Sequence, residues 1–295
     1  MDRKKQGIAL MLLSALSFSS MQVVVKLSSG TVPLMEQIFV RNVINLLLIF
    51  FLAKRSKVSL KAEKKYRFWL FIRSFFGYLG MIFLFYASAN ANQADVTVLH
   101  KMSPFLITIL ASVFLKEKLS RIQIPALIIA FSGAFVIANP QFNSNAFPIL
   151  VAFLSATASS VSYTLLSYFK DKVNGLTVVW NFCLFSILGS IPFLINNFVL
   201  PTWKDLFMLF LIGVFGSASQ LTLTYAYRLA PASEVSIYNY AGILFSMLLG
   251  YFILGQKVGI RSVVGGGIVI LASFIVYIYN NKKDRIGVQE KCQEC

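Results

Sequence analysis

The sequence predicts an all-α polytopic membrane protein: ten transmembrane helices arranged as two inverted five-helix repeats. Three observations carry that expectation. Hydrophobic residues make up 57% of the chain and charged residues only 13%, with a mean hydropathy of +0.74, whereas the surface of a soluble domain needs about twice that charge. Apolar runs separated by short polar breaks follow one another, each near the roughly 20 residues a helix needs to cross the hydrocarbon core. The second half also repeats the first. A shift of 139 positions lays Tyr86-Ala87 on Tyr225-Ala226, Ala91 on Ala230, Asp95 on Glu234, Val96 on Val235, Leu115 on Leu254, Lys118 on Lys257 and Phe135 on Phe274 without a gap. Five spans per unit is an odd number, so the two copies enter the membrane in opposite orientations.

The first run, 7–27, follows Asp2-Arg3-Lys4-Lys5. It is longer than a secretory h-region and further spans follow at once, so it reads as a retained helix. The remaining spans are expected at 33–53, 67–88, 92–114, 121–138, 146–169, 175–196, 203–227, 231–254 and 261–280. Turn formers punctuate them at Ser28-Ser29-Gly30, Asn90-Ala91-Asn92, Asn139-Pro140-Gln141 and Asn196-Asn197, and these breaks lack lysine and arginine. Basic residues gather instead in the N-terminus, the 54–67 loop, Lys116 to Arg121, Lys170 to Lys172 and the tail from Lys282. Ten spans with both termini in the cytoplasm put all of these clusters inside. The net charge of +16 is then a matter of topology, and no nucleic-acid partner is expected. Lys257 falls outside because it is the inverted copy of Lys118. The expected units are 1–140, 141–282 and a cytoplasmic tail 283–295, in a bacterial inner (plasma) membrane.

No catalytic set emerges. The chain has one histidine, no G-x-S-x-G and no convincingly paired intramembrane carboxylates. "GYFILGQK" (250–257) misses a phosphate loop because Gln256 stands in place of the lysine and no strand precedes it. Cys183 reads as a small buried side chain. Cys292 and Cys295 are half of a zinc site at best. No enzyme activity, cofactor or metal is expected.

The stretch "FLKEKLSRIQIPALIIAFSGAFVI" (114–137) has an acidic residue before a basic one, a short turn and a glycine-containing helix; "FILGQKVGIRSVVGGGIVI" (252–270) is its second copy. With "MEQIFVRNVI" (35–44) and "RSFFGYLGMIFLFYASANANQADVTVL" (73–99), these segments resemble the EamA branch of the drug/metabolite transporter superfamily, in particular carriers of amino acids and adenosyl-amino acids. Gln256 departs from the acidic residue usual at its position. The resemblance implies a secondary transporter that moves a small organic metabolite, such as an amino acid or S-adenosylmethionine, by alternating access through a central cavity. Without an ATP site, the drive would be proton coupling or substrate exchange. A lipid-intermediate flippase or a nucleotide-sugar-type exchanger could use the same fold.

Strongly polar side chains at mid-span cost roughly 2.5–3.5 kcal/mol or more, so each needs a partner, a wet cavity or a function. Arg41 lies about eight residues into the second span, and Gln37, Arg41 and Asn45 share one helix face at four-residue spacing. They form either a helix–helix clasp or a cavity wall, and an arginine is a costly clasp. Arg73, nearer the cytoplasmic surface, either snorkels or acts in gating. Lys26 and Glu36 at span ends are expected to be solvated. Asp95 and Glu234 begin the fourth and ninth spans, where a helix dipole favours an acid.

In "VTVLHKMSPF" (96–105), His100 and Lys101 fall near the midplane, and their repeat counterparts are Asn239 and Tyr240. A lone histidine is usually a satisfied structural residue. Adjacent positions point about 100° apart, however, so one packed interface cannot easily bury both His100 and Lys101. The expected substrate-binding residues are Arg41, Asn45, His100, Lys101, Asn181, Tyr238, Asn239 and Tyr240, with Gln37, Arg73, Tyr163 and Tyr225 as further cavity or gating residues. Trp180 could add an aromatic wall, although aromatics in such helices more often face lipid or core. Lys101 and Arg41 would make the cavity electropositive and favour a substrate with a carboxylate or phosphate. The run Gly265-Gly266-Gly267 most simply allows close helix packing.

Overall fold

All regular structure in the computed structural model is helical among the residues it describes, which are 3–28, 30–90, 99–117, 121–138, 146–195, 198–255 and 259–293. The order is α1 (Arg3–Ser28), α2 (Leu34–Arg55), α3 (Lys64–Asn90), α4 (Ser103–Phe114), α5 (Gln123–Ala138), α6 (Ala146–Tyr168), α7 (Gly175–Leu194) and α8 (Trp203–Leu229). The ninth span is composite: α9 (Ala232–Val235), a 3-10 segment η1 (Ser236–Tyr240) and α10 (Ala241–Leu254) follow one another directly, and α11 (Ile260–Gln293) ends the chain. Among the described residues, seven helical stretches are long and apolar enough to cross a membrane, and three shorter apolar helices bring the number to ten. Helices satisfy every backbone polar group internally, as a bilayer demands.

Local signals set the helix ends. Asn174 accepts from the Leu176 amide at the start of α7. Thr202 and Asp205 form a reciprocal capping box at α8, and Thr31 donates to the same Asp205 at 2.6 Å. Gly255, at φ 64°, closes α10 in the left-handed conformation that favours glycine. Two boundaries differ from the sequence expectation. The helix α11 runs on past residue 280 to Gln293, through Gly287, with no proline to stop it. The fourth span is interrupted by a turn at Lys101-Met102, with Pro104 in the first turn of α4. Asp95, Lys118, Lys257 and the 139–145 connection lie outside the described residues.

The repeat is structural. The 139-residue offset carries α3 onto α8 end for end. The most extensive helix pairings all cross between repeats and come as mates: α1 with α8 and α3 with α6, α2 with α8 and α3 with α7, α1 with α10 and α4 with α6. The pairs α2 with α7 and α5 with α11 are their own mates. Serines mark the same two-fold relation. Ser14 donates to the Ser219 carbonyl at 2.9 Å and Ser155 to that of Gly80 at 3.0 Å; Ser19 donates to Gly242 at 2.8 Å and Ser160 to Ser103 at 3.2 Å. Small residues permit the close crossings: a Cβ on Gly133 of α5 would meet the Gly265 carbonyl of α11 at 2.7 Å.

Large apolar side chains such as Phe51, Val113, Phe114, Leu188 and Phe252 cover the outer surface. So extensive an apolar exterior belongs in lipid, and the protein is a multi-pass integral membrane protein. Glu36 corrects the expectation of a solvated span end: it is 1% exposed, and its carboxylate accepts from the Val199 amide at 3.2 Å, because the segment before α8 folds over the start of α2. Glu234 begins α9 and pairs with Lys4 at 2.7 Å.

Candidate functional site

Polar groups inside the bundle gather in two places. The first is where the fourth and ninth spans break. The turn at Lys101 and the 3-10 segment ending at Tyr240 occupy equivalent repeat positions. Where a helix breaks, carbonyls are open to outside donors, and here side chains from the opposite repeat reach them. Lys101 Nζ donates to the Asn239 carbonyl at 3.2 Å, and the fully buried Tyr240 hydroxyl donates to the Lys101 carbonyl at 2.8 Å. His100 turns the other way, with Nδ1 3.1 Å from Ser155 Oγ. Ser155 already donates to Gly80, so its oxygen is free to accept from His100 Nδ1. The two neighbours thus serve two different interfaces.

The second group surrounds Arg41 on α2 and Arg73 on α3. Arg41 is 9% exposed, and its Nη1 lies 3.7 Å from the Met81 sulfur. Its side chain rests on Gly216 of α8, where a Cβ would come within 2.6 Å of Nε. Arg73 is 1% exposed and its guanidinium stacks 4.2 Å above the Phe182 ring. It does not snorkel: α3 begins at Lys64, so Arg73 sits nine positions in, roughly 13 Å along the axis. The two guanidinium groups interact electrostatically with each other and with Tyr163 and Cys183. Neither has a carboxylate within ion-pairing distance among the described residues, and Nε of Arg41 and Nε and Nη1 of Arg73 have no hydrogen-bond partner. Desolvating such a cation costs several kcal/mol, on the order of the price of a buried ion left alone.

Around this pair, Asn45 is fully buried with both amide atoms unpartnered, and Gln37 and Asn42 each have an unpartnered amide oxygen. Their nitrogens are spent locally, Gln37 on the Val32 carbonyl at 2.9 Å and Asn42 on that of Ile38 at 2.8 Å. Tyr163 stacks on Tyr227 at 6.0 Å between centroids, and the Tyr227 hydroxyl is buried and unpartnered. The Tyr238 hydroxyl, in η1, is in the same condition. Asn181 donates to the Thr177 carbonyl of its own helix at 2.7 Å, the repeat mate of the Asn42 bond. Tyr225 packs against Gly175 and Arg228 at the start of α7. Trp180 packs against Phe50 at 6.1 Å.

Sequence reasoning did not single out Glu117. Just beyond α4, its carboxylate accepts from Ala232 N at 3.1 Å, Ser233 N at 3.0 Å, Ser233 Oγ at 2.8 Å and Ser167 Oγ at 3.1 Å. It therefore caps the ninth span from the opposite repeat. The signal was present in the acidic residue of "FLKEKL" and in Pro231, after which the first amides of a helix need an acceptor. No group of three or more metal-binding side chains occurs among the described residues.

Ten helices in interlocked inverted repeats, with polar groups at paired helix breaks, define an integral membrane protein built on a transporter plan. The chain belongs to the EamA-like transporter family, whose sequence profile matches residues 5–139 and again 146–278. It is 29% identical over 274 residues to the pseudopaline exporter CntI of Pseudomonas aeruginosa, covering 92% of this chain and 96% of that protein. It is 25% identical over 278 residues to an S-adenosylmethionine uptake transporter of Rickettsia bellii, covering 94% of each. Solute carrier family 35 member G1 of Mus musculus is 27% identical over 288 residues, covering 90% of this chain and 76% of the relative. A solved crystal structure matches with a TM-score of 0.81 over 95% of this chain and 99% of that one, at 17% identity, a likeness of fold.

Proposed function

We propose that the protein carries a small amino-acid-derived metabolite across a bacterial inner membrane by alternating access, with both termini cytoplasmic and no chemical step on the solute. Residues 1–140 and 141–282 act as the two moving halves, and 283–295 form a cytoplasmic tail. The observation that supports this most directly is the pair of reciprocal hydrogen bonds between Lys101 and the Asn239–Tyr240 backbone and side chain, which join the halves where both spans break. Such a junction lets one repeat rock against the other around a fixed centre. Relatives named for pseudopaline export and S-adenosylmethionine uptake support an amino-acid-derived solute. Lys101, His100, Asn239, Tyr238 and Tyr240 would contact solute from the breaks, and Arg41, Asn45 and Tyr163 from the facing helices. Proton coupling or exchange supplies the drive.

Counterflow in proteoliposomes tests this reading. Vesicles loaded with pseudopaline, S-adenosylmethionine or a pooled set of amino acids should show saturable uptake of one labelled solute, absent from protein-free vesicles. No counterflow with any of them, together with accelerated lipid scrambling, would reassign the protein as a flippase.

A further inference from the structure

We propose that Arg41 and Arg73 together form a binding site for a carboxylate group of a water-soluble solute. Shared surroundings, with no counter-charge among the described residues, are the first observation: Arg41 reaches Met81, Arg73 stacks on Phe182, and Met81 packs against the cluster that holds Phe182. Two guanidinium groups interact across the interior, and the neighbours that share their field, Tyr163 and Cys183, are ordinarily neutral. The three unpartnered N–H positions are the second. This fold does bond an interior cation to a backbone carbonyl elsewhere, as Lys101 does at Asn239. Among the described residues neither arginine side chain donates to a carbonyl; Arg41 meets a thioether and Arg73 an aromatic face.

The scaffold also holds both groups in place. Gly216 gives Arg41 its bed, while a Cβ on Gly77 would meet Phe182, the ring beneath Arg73, at 3.1 Å. Gly77 and Gly216 are repeat mates, so the same bare position in each repeat supports one arginine. Positioned guanidinium forks match the two coplanar oxygens of a carboxylate. The assignment rests on the carrier reading only in putting this site on the solute's path; binding itself is independent of transport.

Acetate and succinate serve as probes of the detergent-solubilised full chain. Thermal stability should rise saturably with either anion relative to chloride at equal ionic strength, since a ligand bound only to the folded state raises stability by mass action. In Arg41→Met and Arg73→Met the saturable part should vanish, and Arg73→Lys should bind at least tenfold more weakly because it keeps the charge but loses the fork. Should the methionine variants fail to fold, NMR of the parent protein carrying Nε-labelled arginine decides: acetate must shift two arginine resonances. No saturable shift with either probe, an equal shift in the double variant, unmoved resonances, or stabilisation by phosphatidylglycerol in nanodiscs but not by the soluble anions would each overturn the proposal. Counterflow of a neutral solute that survives in a double variant unable to bind acetate would uphold the anion site and the carrier reading, while removing the arginines from that solute's path.

Discussion

Lys101 and Tyr240 are 139 positions apart, equivalent under the internal repeat, and each reaches the other's broken span: the lysine ammonium bonds the Asn239 carbonyl and the tyrosine hydroxyl bonds the Lys101 carbonyl. Each half therefore bonds a backbone carbonyl of the other at its break. The link consists of two hydrogen bonds, strong enough to hold one arrangement and few enough to exchange for a solute.

Tyr240→Phe removes the shorter of these bonds and leaves the Lys101 carbonyl without that donor. An unsatisfied buried acceptor costs about 1–3 kcal/mol. The variant is expected to lose that much stability in a denaturation series in mild detergent, with the fold retained by circular dichroism. Full parental stability would mean the bond carries no weight.

Lys101→Met is expected to abolish counterflow of an anionic or zwitterionic solute while leaving the protein monodisperse, because its ammonium stands at the break where both repeats meet. Unchanged transport, or a parent protein that selects purely cationic solutes, contradicts this role.

Glu117→Ala should release the start of the ninth span. Three of the four groups the carboxylate accepts from belong to Ala232 and Ser233, and charge-assisted bonds of this kind are worth roughly twice neutral ones. Hydrogen exchange at residues 232–235 is expected to quicken at least tenfold relative to the parent. Exchange unchanged there would show that α9 is held by packing alone.

Gly216→Ala places a methyl group against the Arg41 guanidinium. Overpacking a buried site costs about 1–3 kcal/mol, and the displaced arginine should weaken acetate binding together with stability. Arg41→Met in the same background should recover the stability and not the binding, which a thermal-shift titration reads directly.

Much of this architecture is legible in the sequence because bilayer length and an ungapped duplication are strong constraints: the offset that aligns Tyr86 with Tyr225 also superposes the ends of α3 and α8. Arg41 and His100-Lys101 stand out because charge among apolar residues is conspicuous. What stays hidden depends on neighbours distant in sequence. Arg73 reads equally as a snorkelling end or a gating residue until α3 is seen to start at Lys64. Glu36 looks solvated until the segment at Val199 covers it. Glu117 passes as one more loop acid because its partners lie 115 and 116 residues away. The broken spans read as continuous because 92–114 and 231–254 are apolar enough for unbroken helices, and hydropathy does not report a turn.

The crossed pairing of helices bears on how the protein is made. The principal partner of α1 is α8, which leaves the ribosome some 200 residues later, a delay of roughly 10–40 s at ordinary elongation rates of about 5–20 residues per second. Throughout that interval the serine-lined face of α1, built to meet Ser219 and Gly242, lies against lipid or the insertion machinery. Biogenesis is consequently late and collective, since helices of the first repeat meet their principal partners only after those of the second are inserted, and a chain truncated after its first five spans would be material for quality-control proteases.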